Sequence, residues 1–430
     1  MQATGRSAAV RKGKGYHLRT LTRRTGGKAT ATAPRLLVLA SAAALPALGL
    51  MAAPASANPS PCTATAHQTT CTYPYSITAA TLQLPYGITT ITVVADGAAG
   101  AAASGGTANG GSGGLGGEYR ARISGLPVSG ELLTVLTGGA GTGSSGGSNG
   151  GGAGTTDTAT NASGGGGGGT VVRDASSSIL VEAGGGGGAG AETQTTPSEP
   201  SAAGGNGGGS SATSGSNGVG GAAAGAGGTV SAGGVAGTNA SCTTSATAGS
   251  TQQGGASAKS GSCAFAGGGG GGGYNGGGGA GSGSTGAGGG GGGSAYPATA
   301  TTIDGFRVTP ESDTSTHTGS GQVVISFSNV RTTLSPSLSF NAGQTDTLHA
   351  ILTGPAGHPL ANELVNFSAG STPLCTGVLT NARGHAHCVL TAAQTLQVEL
   401  NSGQFEVSFA GDIGLTPAHA VGVSSWFPWS

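Results

Sequence analysis

The sequence predicts an all-β chain in two parts, on three observations. Glycine is gathered into four uninterrupted runs, Gly164 to Gly169, Gly184 to Gly188, Gly267 to Gly273 and Gly288 to Gly293, bordered by strand-like text such as GGGGGGTVVRD and ILVEAGGGGG. Short segments rich in β-branched residues recur along the chain, and no window carries a helical period. Six cysteines fall into three sequence-local pairs. With 93 glycines among 430 residues, 7% charged and 4% aromatic, the chain cannot build one large aliphatic core. The glycine is therefore either slack or architecture, and its placement between strands favours architecture.

The first element is an export signal over residues 1–57. Nine of the 16 Lys/Arg precede residue 36, and no acidic residue occurs before Asp96. This basic stretch leads into apolar Leu36 to Met51, broken by Pro46, and then into the small-residue site Ala55-Ser56-Ala57. A spanning helix wants about 20 apolar residues without a central proline, so no membrane span is expected after signal removal. Arg23-Arg24 invites a twin-arginine route, but Thr25-Gly26-Gly27 lacks the hydrophobic residues expected beside it. Cleavage leaves 7 Lys/Arg against 16 Asp/Glu, near −9. An acidic mature surface argues against nucleic acid as a partner.

The cysteines all follow that site: Cys62, Cys71, Cys242, Cys263, Cys375 and Cys388. An even count in an exported chain implies disulfides. Of fifteen connectivities the local one is expected, 62–71, 242–263 and 375–388, each bridge worth about 3 kcal/mol in the chain-entropy model. The separated pairs lack matched histidines and do not read as zinc ligands.

Strands are expected at Ile88 to Ala95, Glu118 to Ile123, Leu132 to Leu136 and Gly321 to Phe327, with Thr170 to Arg173 and Ile179 to Glu182 forming a hairpin between two glycine runs. Residues 189–262, built of Ala, Ser, Thr and Gly without apolar periodicity, read as a low-complexity loop insertion. The runs suit polyproline-II-type helices, which have three residues per turn and no internal hydrogen bonds. Side-by-side packing of such helices needs residues without a Cβ. An ordered glycine costs about 0.5–1 kcal/mol more than alanine, and one lateral hydrogen bond returns about 0.5–1.5 kcal/mol, so energy alone leaves the matter balanced.

The order of pieces over residues 74–330 resembles the glycine-rich domain of anaplastic lymphoma kinase, leukocyte tyrosine kinase and many secreted bacterial proteins. The matching text includes LPYGITTITVVADGAAG, GGLGGEYRARISGLPVSGELLTVLTGGAG, GGGGGGTVVRDASSSILVEAGGGGG and GSGQVVISF. The resemblance implies a jelly-roll-like sandwich carrying a polyglycine-II helix bundle, assigned to 58–330. The 189–262 stretch departs from that pattern, and the receptors' ligand-binding role does not carry over. Residues 332–430, with LTGPAGHPLANELVNFSAGSTPLCTGVLTNARGHAHCVLT, are similar to a bacterial immunoglobulin-like domain. That likeness implies a sandwich core holding Val365, Phe367, Phe405, Val407 and Phe409, with a turn at Asn381 to Gly384.

Candidate chemistry is sparse. Gly141-Thr-Gly143-Ser-Ser-Gly146 matches a dinucleotide fingerprint, but SNGGGAG follows where a helix would have to begin. His385-Ala-His387 puts two imidazoles on one strand face, and His349 or Asp412 are the guesses for a further metal ligand. Half-exposed strand histidines are the simpler reading. Glu118, Glu131 and Glu182 are expected on solvent faces, and no serine sits in a nucleophile elbow. Trp426 and Trp429, the only tryptophans, are read as closing a sandwich edge or as a tail. No catalytic residue, cofactor or metal is assigned. The expectation is a secreted, non-catalytic structural or adhesive surface protein whose partners are cell-surface glycans or proteins. A carbohydrate- or peptide-binding module is the alternative, and a cell-wall-active enzyme ranks last.

Overall fold

The computed structural model describes residues 61–104, 111–158, 161–191, 202–209, 212–240, 244–258, 263–339 and 346–423. The expected export signal over 1–57 and both tryptophans lie outside the described residues, as does Cys242. The described residues belong to one compact unit. Among the described residues the regular secondary structure is almost wholly antiparallel strand, as expected of an all-β chain.

The first half contributes β1 (Cys62–Ala64), β2 (Gln68–Tyr73), β3 (Ala80–Gln83), β4 (Thr90–Asp96), β5 (Gly116–Ser124), β6 (Leu132–Leu136), β7 (Thr156–Thr158), β8 (Asn161–Ala162), β9 (Thr170–Arg173), β10 (Ile179–Ala183), β11 (Thr301–Ile303), β12 (Phe306–His317) and β13 (Gln322–Ser328). A seven-stranded sheet runs β1-β2-β13-β4-β5-β12-β11 and a four-stranded sheet runs β10-β9-β6-β3. Alternation selects their inner faces. Ile91, Val93, Tyr119, Ile123 and Ile325 of one sheet and Leu82, Leu133, Val135, Val172 and Leu180 of the other share a single buried cluster. Thr170–Arg173 and Ile179–Ala183 pair antiparallel, as expected of a hairpin.

The second half adds β14 (Thr333–Ser339), β15 (Thr347–Thr353), β16 (Leu364–Ala369), β17 (Thr372–Leu379), β18 (His385–Val389), helix α1 (Ala392–Leu400), β19 (Gln404–Phe409) and β20 (Ala418–Val423). Sheets β14-β15-β18 and β17-β16-β19-β20 enclose a second buried cluster containing Val365, Phe367, Phe405, Val407 and Phe409. Asn381 to Gly384 turns the chain from one sheet into the other, and the Cys375–Cys388 disulfide ties β17 to β18 across them. Cys62 and Cys71 are bonded between directly opposed residues of β1 and β2. Cys263 is oxidised. Helix α1 corrects the expectation of no helix. It is fixed by a capping box in which Thr391 and Gln394 satisfy each other's backbone N–H.

Between these elements the glycine segments hydrogen-bond sideways with a three-residue period. Along 184–191 the N–H groups of Gly185, Gly188 and Ala191 donate to Gly272, Gly269 and Ala266. Those of Gly186 and Ala189 donate to Ala98 and Ala101, and those of Gly187 and Gly190 to Gly205 and Ala202. The carbonyls repeat the rule: Gly184 and Gly187 accept from Gly117 and Gly114, Gly185 and Gly188 from Gly293 and Gly290, Gly186 and Ala189 from Gly167 and Gly164. Each third residue meets the same neighbour, so 184–191 is bonded to six surrounding segments. A β-strand bonds in one direction only and holds the next layer about 10 Å away with its side chains. Removing the side chains lets the backbone bond in every lateral direction. A Cβ added at Gly270 would lie 2.1 Å from the Gly277 carbonyl oxygen, which is why the central runs are uninterrupted.

The described parts of 189–262 join this lattice, where a loop insertion was expected. Apart from the exposed positive-φ turn at Gly220 and Gly221, many of their glycines lie where the segment faces inward. Gly215 and Gly218 abut Gly289 and Ala287, while Thr213, Ser214 and Asn217 are exposed. Gly234 and Gly237 abut the carbonyls of Ala226 and Ala223, while Val235 and Thr238 are exposed. Polar side chains stop the lattice at its rim. Asn217 Oδ1 accepts from the Ala224 N–H (2.8 Å), Asn206 Oδ1 from Leu115 (2.9 Å) and Thr247 Oγ1 from Ala256 (2.8 Å).

The lattice grows from one end of both sheets. Asp96, Glu118 and Gln322 lie at neighbouring strand ends in the seven-stranded sheet, and Ala183 and Thr170 are opposed in the other. The two ends meet where the Gly117 N–H donates to Gly184.

Candidate functional site

Two places gather chemistry. The first is the seam between the two halves, which is clamped by hydrogen bonds. Thr69 Oγ1 accepts from the Gly414 N–H at 2.9 Å, Val330 exchanges backbone bonds with Gly414 and Thr416, and Thr332 Oγ1 donates to the Thr416 carbonyl at 2.7 Å. Tyr86, in the turn after β3, stacks on His358 with ring centroids 3.7 Å apart and planes 5° from parallel.

Beside the clamp lies a cleft of ≈ 460 Å³, walled by Leu82, Pro85, Ile413 and Leu415 and edged by Tyr73, Tyr86, Glu363 and Asp412. Burial first, and Asp412 second, push the Glu363 carboxyl up to about 6. The buried Tyr73 hydroxyl has no hydrogen-bond partner among the described residues. Apolar walls with a few polar groups are the usual make-up of a small-ligand site. Of these residues only Asp412 was singled out from the sequence, and for a different role, because distant strands and loops deliver them and no local spacing marks them.

The second place is the outer face of β14-β15-β18. His349 and His387 sit directly opposite each other in register, and their Nδ1 atoms are 2.6 Å apart. Ser339 Oγ holds the other nitrogen of His349, Nε2, at 2.6 Å. His385 lies two residues before His387, with its ring centroid 6.1 Å away. Burial, then the neighbouring His387 and His385, lower the pKa of His349 and favour its neutral ring. Two ring lone pairs cannot face each other this closely, so one proton or one cation has to lie between them. Of the two residues guessed from the sequence to lie near the His385/His387 pair, His349 does lie beside His387. Asp412 lies instead in the seam, beside Glu363. Among the described residues no group of three or more His, Cys, Asp or Glu is arranged to hold a metal ion.

Other candidates resolve into architecture. Gly141 and Gly143 lie in the glycine lattice, bonded to Ala99 and Gly165, and no helix follows them. Glu182 is 1% exposed, against the expectation of a solvent face. It lies one residue before the end of β10, close to where the sheet passes into the lattice, with Gln252 Nε2 at 3.3 Å and Gln252 Oε1 bonded to Arg173 at 3.0 Å. Burial pushes its pKa up to about 7 despite those two partners. Among the described residues no helix is long and apolar enough to cross a membrane. No family model matches the chain, and no curated protein matches it.

Proposed function

We propose that the chain is an exported, non-catalytic structural or adhesive protein of the cell surface or surrounding matrix. Its two domains are a jelly-roll-like sandwich bearing a polyglycine-II bundle over 58–330 and an immunoglobulin-like sandwich over 332–430. The observation that carries the reading is the segment 184–191, whose backbone is bonded on all sides with a three-residue repeat. Three residues per turn without internal hydrogen bonds is the polyproline-II arrangement. A body cross-linked this way owes its stiffness to the backbone, which suits a load-bearing or presenting role outside the cell. The disulfides at Cys62–Cys71 and Cys375–Cys388 fit an oxidising compartment, and the basic-apolar-small order of residues 1–57 fits export. The likeness to the glycine-rich domain of the receptor kinases supports the fold half of this reading.

Fractionation of producing cells tests it. The chain should be recovered from the medium or cell surface, beginning at Asn58, and should be retained by cells, wall material, glycans or surface proteins. Cytosolic recovery of the uncut chain would remove the export half, and failure to be retained by any of them would remove the adhesive half. The seam cleft favours a second reading, a carbohydrate- or peptide-binding module. Its carboxylates accept hydrogen bonds from hydroxyls or ammonium groups, and its walls are apolar. Glycan- or peptide-array binding that is lost in Glu363→Gln would support that reading, and binding unchanged in the variant would take the cleft out of it.

A further inference from the structure

We infer that the outer face of β14-β15-β18 is a binding site for a divalent first-row transition ion such as Zn²⁺, Ni²⁺ or Cu²⁺, held by Nδ1 of His349 and Nδ1 of His387.

The geometry carries this in three steps. Direct opposition on neighbouring antiparallel strands, β15 and β18, brings the two rings together. At 2.6 Å, either the N–H proton of one ring or a cation has to sit between the two nitrogens, and the ion would take the place of that proton. A metal–nitrogen bond of about 2.0–2.1 Å at a tetrahedral centre wants ligand atoms a little over 3 Å apart, so the rings need move by well under 1 Å to admit an ion. Next, Ser339 Oγ occupies Nε2 of His349 and leaves Nδ1 directed at the partner ring. Metal-bound histidines use the same device, the second nitrogen hydrogen-bonded to fix ring orientation. Finally, His385 shares the face of His387, being two residues along the same strand. Its ring is 6.1 Å from that of His387, within reach of a third bond after a side-chain rotation. Imidazole donors without carboxylates select borderline ions over Ca²⁺ and Mg²⁺. Water or an external donor completes the shell, so the site suits capture of a metal, or bridging to a histidine on another molecule.

Calorimetric titration of the exported chain with ZnCl₂ and NiCl₂, in a buffer that does not chelate, provides the test. One saturable ion per chain is expected. Affinity should fall at least about tenfold in His349→Ala and in His387→Ala, and by about tenfold in Ser339→Ala. It should be unchanged in His419→Ala, whose ring lies on β20 beside Glu406. In the unaltered protein, the ring proton resonances of His349 and His387 should shift together on adding Zn²⁺, a readout that does not depend on any variant folding. Absence of saturable binding, survival of binding in both alanine variants, or shifts confined to other histidines would overturn the assignment. CaCl₂ should give no comparable heat, and equal binding of Ca²⁺ would overturn the ion class.

Discussion

Substituting Gly187 by alanine separates an architectural lattice from slack linker by the sign of its effect. A Cβ at this position would lie 2.1 Å from the carbonyl oxygen of Gly290 and 2.6 Å from its carbon. Ordinary van der Waals contact begins near 3.4 Å, so segments 184–191 and 287–294 would have to part by more than 1 Å. That parting opens the bonds from Gly290 to Gly188 and from Gly293 to Gly185, both 2.9 Å long. Each buried group left unpaired costs about 1–3 kcal/mol. Alanine returns only about 0.4–1 kcal/mol by narrowing the unfolded ensemble. The net expectation is a loss of about 2–5 kcal/mol, read as a lower Tm and faster amide exchange along 184–191. In a flexible glycine linker the same substitution would be neutral or mildly stabilising. An unchanged or raised Tm would refute the reasoning.

Other consequences follow from single groups. Glu182 has its pKa raised from 4.5 to about 7 by burial, so the folded state holds its proton longer than the unfolded chain. Stability from this site is complete below pH 4.5 and is lost as pH rises through 7, by on the order of 3 kcal/mol. Thermal scans between pH 4 and 8 should show that decline, and Glu182→Gln should flatten it; an equal slope in the variant would clear Glu182 of the effect. Opening Cys375–Cys388 with a Cys375→Ser/Cys388→Ser pair should cost about 3 kcal/mol, seen as earlier melting of the second half, and a Tm that does not move would show that the inter-sheet bridge is not needed.

The strands legible in the sequence are those whose β-branched residues face a core. Thr90–Asp96, Leu132–Leu136 and Gln322–Ser328 alternate cleanly between buried and partly exposed residues. Phe306–His317, the longest strand, was not expected, because much of it is polar and exposed and its register shifts beside Pro310. Helix α1 was legible from Thr391 and Gln394, a capping-box pair that a search for apolar period passes over. The lattice bonding in the described parts of 189–262 escapes the sequence reading for a similar reason. Tests for periods of 2 and 3.6 are blind to a repeat of three carried by small residues, yet the spacings Gly215/Gly218 and Gly234/Gly237 were there to read. Run length also turns out to carry meaning. An uninterrupted run such as 184–188 is surrounded on every side, whereas a glycine at every third position marks a rim segment. Of the histidine cluster, only the i, i+2 pair on β18 could be read directly. His349 reaches it through strand pairing across 38 residues, which no local pattern records.

Amide hydrogen exchange resolved to single residues along 212–240 tests the lattice most directly, because the account fixes which N–H groups are bonded. Ala212, Thr213, Gly215, Ser216 and Gly218 donate within the lattice, while Ser214 and Asn217 have no backbone acceptor among the described residues. Gly234 and Gly237 donate to Gly276 and Gly279, while Val235, Ala236 and Thr238 between and beside them do not. Protection should therefore recur with a period of three at the rim and be continuous along 164–169, 185–188, 268–272 and 288–293. Fast exchange throughout those four runs, or rim protection without the three-residue repeat, would contradict it.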